Sequence, residues 1–211
     1  MALLLPDLRE EEALRNAGYH HVAGLDETGR GAWAGPVCAA AVVLPLDKPR
    51  LLARLDGVRD SKQLTPAKRE EMMVRICEVA EGVEVGWSGP EEVDSAGVVA
   101  ATRAAMARAL ARLDGSVDAL LIDYLHLPGI DLPQRSLPKA DVRCLSVAAA
   151  SIVAKVTRDR HMISLDEEHP GYGFARHKGY GTPQHKTALT KLGPSPLHRM
   201  SWQPLLLLEE D

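Results

Sequence analysis

Residues 24–31 read Gly-Leu-Asp-Glu-Thr-Gly-Arg-Gly, which sets two adjacent carboxylates at the end of an apolar run and just before a glycine-flanked arginine. Asp26 and Glu27 are hard oxygen ligands of the kind Mg²⁺ or Mn²⁺ takes. Gly29 and Gly31, on either side of Arg30, let the backbone approach a ligand more closely than a Cβ permits. Metal and phosphate can meet there, so the octapeptide suggests phosphodiester chemistry. Two further acids stand near element ends. Asp123 closes the apolar run Ala119-Leu120-Leu121-Ile122, and Asp141 lies in Pro138-Lys139-Ala140-Asp141, ahead of the small-residue stretch 146–155. Each acid also has a plainer use: Asp-Glu before a turn as the solvated start of a loop, Asp123 as a turn cap, and Asp141 as an acid in the field of a helix N-terminus.

The elements that must position these acids follow from periodicity and punctuation. Residues 7–16 pattern as a short amphipathic helix, with Asp7 as its cap and Gly18 ending it. Residues 21–26 and 36–44 read as neighbouring strands, 82–88 as a third, 118–123 as a fourth and 136–139 as a fifth. Thr65-Pro66 opens a helix to about residue 80 with Met72, Met73, Ile76 and Val79 as its inner stripe. Residues 91–113 read as one helix facing inward through Ala100, Ala104, Ala107 and Leu110 and stopped by Asp114-Gly115. Residues 146–155 form a helix of small residues able to pack tightly on a sheet. Strands mixed with helices in this order predict an α/β fold with a mixed five-stranded sheet. Successive side chains of a strand point to opposite faces, so Asp26 and Glu27 share a site only at a strand end, where the turn begun by Thr28-Gly29 rotates Glu27.

Taken together, the motifs carry a resemblance. Asp-Glu-Thr-Gly-Arg-Gly (26–31), Asp-Ser-Lys-Gln-Leu (60–64), Leu-Ile-Asp (121–123), Lys-Ala-Asp (139–141), the run Ser-Val-Ala-Ala-Ala-Ser-Ile-Val-Ala-Lys-Val-Thr-Arg-Asp (146–159) and His-Lys-Gly-Tyr-Gly-Thr (177–182) resemble bacterial ribonuclease HII, the type 2 ribonuclease H, from about residue 20 to about residue 202. The resemblance implies a ribonuclease H-like core over residues 1–160 and a C-terminal helical segment, 161–211, completing the substrate-binding surface. It implies an endoribonuclease that hydrolyses the RNA strand of RNA/DNA hybrids and cuts 5′ of ribonucleotides embedded in duplex DNA. Asp26, Glu27, Asp123 and Asp141 would hold two divalent ions, Mg²⁺ or Mn²⁺, in a two-metal hydrolysis. Backbone atoms of Gly29, Arg30 and Gly31 would contact the ribonucleotide, and Tyr180 would stack on the following deoxyribose. Ser61, Lys62, Arg143, Lys155 and Arg158 are the expected phosphate contacts. The family usually has Lys-Gly-Asp and Asp-Gly where this chain has Lys139-Ala140-Asp141 and Asp123-Tyr124, so a Cβ stands where glycine would take a positive φ freely.

Composition fits this reading. A chain of 211 residues, 45% hydrophobic and 26% charged, can bury one main core. The net charge of −4 is unevenly spread: residues 139–199 carry ten Lys/Arg against five Asp/Glu, while residues 1–138 carry fifteen against twenty-one. A late basic flank, joined by histidines 161, 169, 177, 185 and 198, supplies the charge that phosphate binding needs. Cys38, Cys77 and Cys144 are odd in number and widely spaced, so they read as buried thiols rather than a disulfide or zinc framework. The start lacks a basic region and a long apolar run, so a cytoplasmic protein off the membrane is expected, with a monomer as the default. The tail Ser201-Trp202-Gln203-Pro204, followed by four leucines, either docks a replication clamp or folds back onto the domain.

Other classes fit less well. Gly29-x-Gly31 is not followed by a third glycine in dinucleotide-binding spacing, and acids precede it. A non-catalytic nucleic-acid-binding module has no use for four acids at element edges. Ribonuclease HIII carries a sizeable N-terminal domain, whereas about twenty residues precede the first strand here.

Overall fold

The computed structural model describes residues 5–113, 117–202 and 205. In chain order the elements are α1 (Arg9–Asn16), β1 (Val22–Thr28), β2 (Val37–Val43), α2 (Leu51–Arg54), α3 (Pro66–Val79), β3 (Gly82–Ser88), α4 (Pro90–Ala96), α5 (Val98–Arg112), β4 (Ala119–Asp123), β5 (Gln134–Leu137), α6 (Leu145–Glu168), α7 (Phe174–His177) and α8 (Pro183–Leu192). Short 3₁₀ turns occupy Ser61–Gln63 and Ala140–Val142.

One mixed sheet of five strands runs in the order β3-β2-β1-β4-β5. β1, β2 and β3 form an antiparallel meander. β4 pairs with β1 in parallel after the crossover through α4 and α5, and β5 continues in parallel from β4. Every residue of β2 is buried, because both faces of the sheet are covered. Cys38, Ala40 and Val42 pack with α3 and α6, while Ala39, Ala41 and Val43 pack with α5. A strand buried on both sides needs a continuous apolar run, and Val-Cys-Ala-Ala-Ala-Val-Val supplies it.

The same parity sorts β1. Val22 packs with Val147 of α6, and Gly24 lies so close to α6 that an added Cβ would stand 2.3 Å from the carbonyl carbon of Ser146. Ala23 and Leu25 face the α5 side. Asp26 therefore continues the α6-facing row. In β4, Ala119 and Leu121 pack with Val147, so Asp123 continues the matching row of the neighbouring strand. The small residues of α6 allow this close approach: Ala148, Ala149, Ala150 and Ala154 are fully buried.

Several boundaries differ from the sequence reading. The helix expected over 91–113 is two helices, parted at Gly97, whose φ of +82° breaks the helical path. The inward stripe of α5 is accordingly Ala101, Ala105, Met106 and Ala109 rather than Ala100, Ala104, Ala107 and Leu110. Its expected stop at Asp114-Gly115 lies outside the described residues. β5 ends at Leu137, two residues before Lys139, which takes a left-handed φ of 56° that a strand cannot follow. Cys38 and Cys144 are buried, but Cys77 is exposed. Residue 160, the expected end of the catalytic core, lies inside α6. Beyond α6, Tyr172, Phe174, Ala188 and Leu189 build a smaller core with Met162, Leu165 and Ala34. Among the described residues no helix is long and apolar enough to cross a membrane.

Candidate active site

The parallel ladder of β1 and β4 ends at Leu25 opposite Ile122. Asp26 and Asp123 are thus the next residues on adjacent strands, on the same face. Oδ1 of Asp123 accepts the N–H of Ala140 at 2.8 Å, which docks the Ala140–Val142 turn, and with it Asp141, against the strand end. Oδ1 of Asp26 accepts the N–H of Glu27 at 2.8 Å. β1 does not end at Asp26 as expected: Asp26, Glu27 and Thr28 still pair with Ala40, Ala39 and Cys38 of β2. β4 ends at Asp123, level with Asp26, so Glu27 has no β4 residue beside it.

The four acids act on one another electrostatically. Burial, the charge of Glu27 and those of Asp123 and Asp141 hold the Asp26 carboxyl well above its ordinary range. Burial also raises Glu27, opposed by Arg30, whose Nη1 lies 3.0 Å from Oε1. Asp141 is raised by burial and by Asp60 and Asp123. Lys62 reads the same field from the other sign: burial opposes its charge, yet Asp60, Asp141, Asp26 and Asp123 outweigh burial and strengthen its hold on the proton. Its Nζ lies 3.9 Å from Oδ2 of Asp141. Oε2 of Glu27 is enclosed with no hydrogen-bond partner, and an orphaned carboxylate oxygen among like charges is what a hard divalent cation satisfies. Among the described residues no group of three or more acidic, histidine or cysteine side chains is arranged so that it could hold a metal ion as it stands. An open rim of acids suits Mg²⁺, which takes one or two carboxylates together with water and phosphate oxygens.

Backbone strain flanks two of these acids. Tyr124, directly after Asp123, takes a φ of 60° as glycine would, at a cost of about 1–2 kcal/mol. Beside Asp141 the expected strain at Ala140 does not arise: Ala140 sits in the 3₁₀ turn, and Lys139 carries the positive φ instead.

Beside the acids, two segments are zipped together. The carbonyl of Gly179 accepts the N–H groups of Trp33 and Ala34 at 2.8 and 3.2 Å, and Ala32 bridges to Tyr180. Tyr180 is thereby fixed next to the Gly29–Gly31 loop. Gly29 has a φ of +88°, and a Cβ there would stand 2.2 Å from Nε of Arg158, whereas Gly31 faces open space. Ser61 is buried against α6, its N–H donating to Oγ of Ser151 at 3.2 Å. Lys155 lies 5.8 Å from the centre of the Tyr180 ring and pairs with Asp159 at 2.7 Å.

The basic residues are used differently from expectation. Arg158 is fully buried, and its guanidinium donates to the carbonyls of Pro36, Lys178 and Ala34 at 2.8, 2.9 and 3.3 Å. It braces the two segments from within, so it is no phosphate contact. Arg143 is paired with Glu10 at 3.0 Å. Arg199 is also fully buried, so two of the ten basic residues of the late flank do not reach its surface.

Three of the five histidines expected on that flank are buried too: His177, His185 and His198. Nδ1 of His198 accepts the N–H of Ser195 at 2.9 Å, which leaves its Nε2–H to donate to Nε2 of His185 at 3.0 Å. His185 in turn donates Nδ1–H to the carbonyl of Tyr180 at 3.0 Å. This neutral relay anchors the Tyr180 backbone, and burial keeps both imidazoles hard to protonate, with pKa values pushed down to about 4. Sequence reasoning missed this relay, Arg199 and the charge of Asp60. A basic side chain in a polar segment carries no mark that distinguishes an inward from an outward position; only Asp60, inside a recognised motif, left a signal.

A family model described as ribonuclease HII matches residues 23–205. A ribonuclease HII of Chloroflexus aurantiacus is 54% identical over 203 residues, covering 96% of this chain and 96% of its own. The crystal structure of the ribonuclease H2 from Pyrococcus horikoshii OT3 aligns with a TM-score of 0.73 at 28% identity, over 90% of this chain and 97% of that one. A chain of the PCNA:RNase HII complex from Archaeoglobus fulgidus aligns with a TM-score of 0.72 at 28% identity, over 87% and 95%. Agreement of this extent in sequence and fold establishes descent, and the chain belongs to the ribonuclease HII family, the metal-dependent endoribonucleases that act on RNA/DNA hybrids.

Proposed function

We propose that this chain cuts the RNA strand of RNA/DNA hybrids and the 5′ side of ribonucleotides embedded in duplex DNA, leaving 3′-hydroxyl and 5′-phosphate ends. The observation that carries the reading is the placement of Asp26, Glu27, Asp123 and Asp141 on one open edge, directly continuous with a glycine loop and an aromatic ring.

The four carboxylates are the residues that would hold two divalent ions, Mg²⁺ or Mn²⁺. Ions bound there supply an activated water and stabilise the leaving 3′ oxygen. The chain's own groups do the selecting. A 2′-hydroxyl distinguishes RNA from DNA, and the backbone of Gly29, Arg30 and Gly31 is free to approach it. Arg30 keeps Glu27 in place through their ion pair. Tyr180 meets the sugar on the 3′ side of the cut, where an added hydroxyl disturbs the stack. Lys62, with Ser61 holding its turn against α6, and Lys155 beside Tyr180 contact flanking phosphates. Arg143, once released from Glu10, is a more distant contact.

In the tail, the N–H of Met200 and the N–H and Oγ of Ser201 donate to Asp94, Trp202 packs on the α5-side core, and Leu205 is buried. These contacts favour a tail folded back on the domain over one offered to a replication clamp; the remaining tail residues, 203–204 and 206–211, lie outside the described residues. Unpaired, separated thiols suit a reducing cytoplasm.

The test is cleavage of a DNA duplex containing one ribonucleotide, with and without Mg²⁺, and with the product ends mapped. A single metal-dependent cut 5′ of the ribonucleotide supports the reading. Duplex binding with no cleavage under any divalent metal would make this a binding module instead.

A further inference from the structure

Arg199 sits behind the Gly29–Gly31 loop, fully enclosed and without a carboxylate partner among the described residues. Every donor it directs goes to a main-chain oxygen. Nη2 donates to the carbonyl of Gly29 at 2.7 Å and to that of Gly35 at 2.8 Å, Nη1 to that of Arg30 at 2.8 Å, and Nε to that of Gly35 at 3.1 Å. Its own N–H donates to the carbonyl of Trp33 at 2.9 Å, so both ends of the residue are tied to one loop.

In a planar trans peptide the C=O and the following N–H point in opposite directions. A guanidinium that draws the Gly29 and Arg30 oxygens inward therefore turns the N–H groups of Arg30 and Gly31 outward. Neither N–H meets a backbone acceptor among the described residues. The space beside Gly31 is open. Successive N–H groups aimed at one open spot form a concave donor site for oxygen atoms. The positive charge behind them reinforces the polarity, and Arg158, fixed on the other side of Gly29, adds a second.

We propose that Arg199 is a positioning residue for substrate selectivity: its enclosed guanidinium holds the 29–31 backbone in the orientation that presents the Arg30 and Gly31 amides as a fixed donor pair for a 2′-hydroxyl and its adjoining phosphate. The proposal rests on the reading of this loop as the ribonucleotide-recognising element. Arg199 never touches nucleic acid, so it acts on selectivity through geometry alone. A lysine at this position keeps the charge but has one ammonium where the fork spans three carbonyls.

Full-length parent, Arg199→Lys and Arg199→Gln are compared in metal-free binding to two duplexes that differ by one 2′-hydroxyl. The proposal expects the parent to prefer the ribonucleotide duplex. Both variants should keep their affinity for the all-DNA duplex within about twofold while losing most of the preference, with lysine giving little rescue. A folded variant that retains the parental preference overturns it. A parent with no preference overturns the recognition reading and this proposal together, which separates the two failures.

Amide hydrogen exchange on the parent supplies a readout that does not depend on the variants folding. Arg30 and Gly31 should exchange freely while Trp33 and Ala34 are protected. Both should become protected on binding the ribonucleotide duplex and not the all-DNA duplex. Protection of Arg30 and Gly31 in the free protein overturns the proposal.

Discussion

Glu11 joins α1 to the N-terminus of α6, and its protonation should set how stability responds to pH. Its Oε1 accepts the N–H and the Oγ–H of Ser146, both at 2.8 Å. Oε2 is enclosed without a partner, and the side chain is fully buried. Burial outweighs the two bonds from Ser146 and lifts the carboxyl from 4.5 to about 7. Because the folded value is raised, the contribution is complete below about pH 4.5 and is lost as the pH rises through 7. A displacement from 4.5 to about 7 corresponds to roughly 3 kcal/mol at about 1.4 kcal/mol per pH unit. Glu11→Gln keeps the oxygen that Ser146 needs and has no proton to lose. Urea unfolding of parent and variant near pH 5 and near pH 8, with chelator present, isolates the effect from other titrations. Between those conditions the variant should gain about 2–3 kcal/mol relative to the parent. A difference between the two proteins that is the same at both pH values would refute the reasoning, since it would mean that Glu11 does not change its charge state there.

Asp26→Asn should abolish turnover and yet raise the unfolding free energy of the metal-free protein by about 1–3 kcal/mol, because a buried carboxylate facing Glu27, Asp123 and Asp141 is relieved; denaturation in chelator checks it, and a destabilised variant contradicts it. Tyr180→Ala should lower cleavage at a lone ribonucleotide roughly tenfold more than cleavage within a long hybrid, as a ring stack is worth about 1–3 kcal/mol, with Phe retaining more activity than Ala. Equal losses on the two substrates would leave Tyr180 as a support for the loop. His185 and His198, buried with values pushed from 6.5 to about 4, contribute stability that is complete above about pH 6.5 and is lost as the pH falls through 4. The unfolding free energy of the parent minus that of His198→Asn cancels the opposing contributions of Glu11, Asp26, Glu27 and Asp141 and should decline over that window; a flat difference contradicts the neutral relay.

The site was legible where the chain had to obey a period. Ala-Leu-Leu-Ile can be little other than a strand buried on both faces, and an acid closing such a run is at its edge. That placed Asp123 at the end of β4, whereas β1 runs on past Asp26 to Thr28. The break at Gly97 was hidden because alanine-rich sequence continues on both sides of it, and a glycine in a helical pattern does not state whether it takes a positive φ. The left-handed Lys139 was hidden for a related reason: only the docking of the following turn on Asp123 selects that conformation. Arg158 and Arg199 read as surface cations because burial of a guanidinium depends on carbonyls contributed by residues 29–36, more than 120 positions away. The histidines misled for the same reason, their acceptors being supplied by turns that no local pattern announces.

The central claim is that four carboxylates on one sheet edge drive cleavage by holding divalent cations. Its most direct test is single-turnover cleavage, in Mg²⁺, of a duplex with one ribonucleotide by Asp26→Asn, Glu27→Gln, Asp123→Asn and Asp141→Asn, alongside the affinity of each variant for the uncut duplex. The account predicts that each substitution removes most of the cleavage while leaving duplex affinity close to that of the parent. Near-parental cleavage by any one of the four would strike that residue from the metal site, and near-parental cleavage by Asp26→Asn or Asp123→Asn would contradict the claim itself.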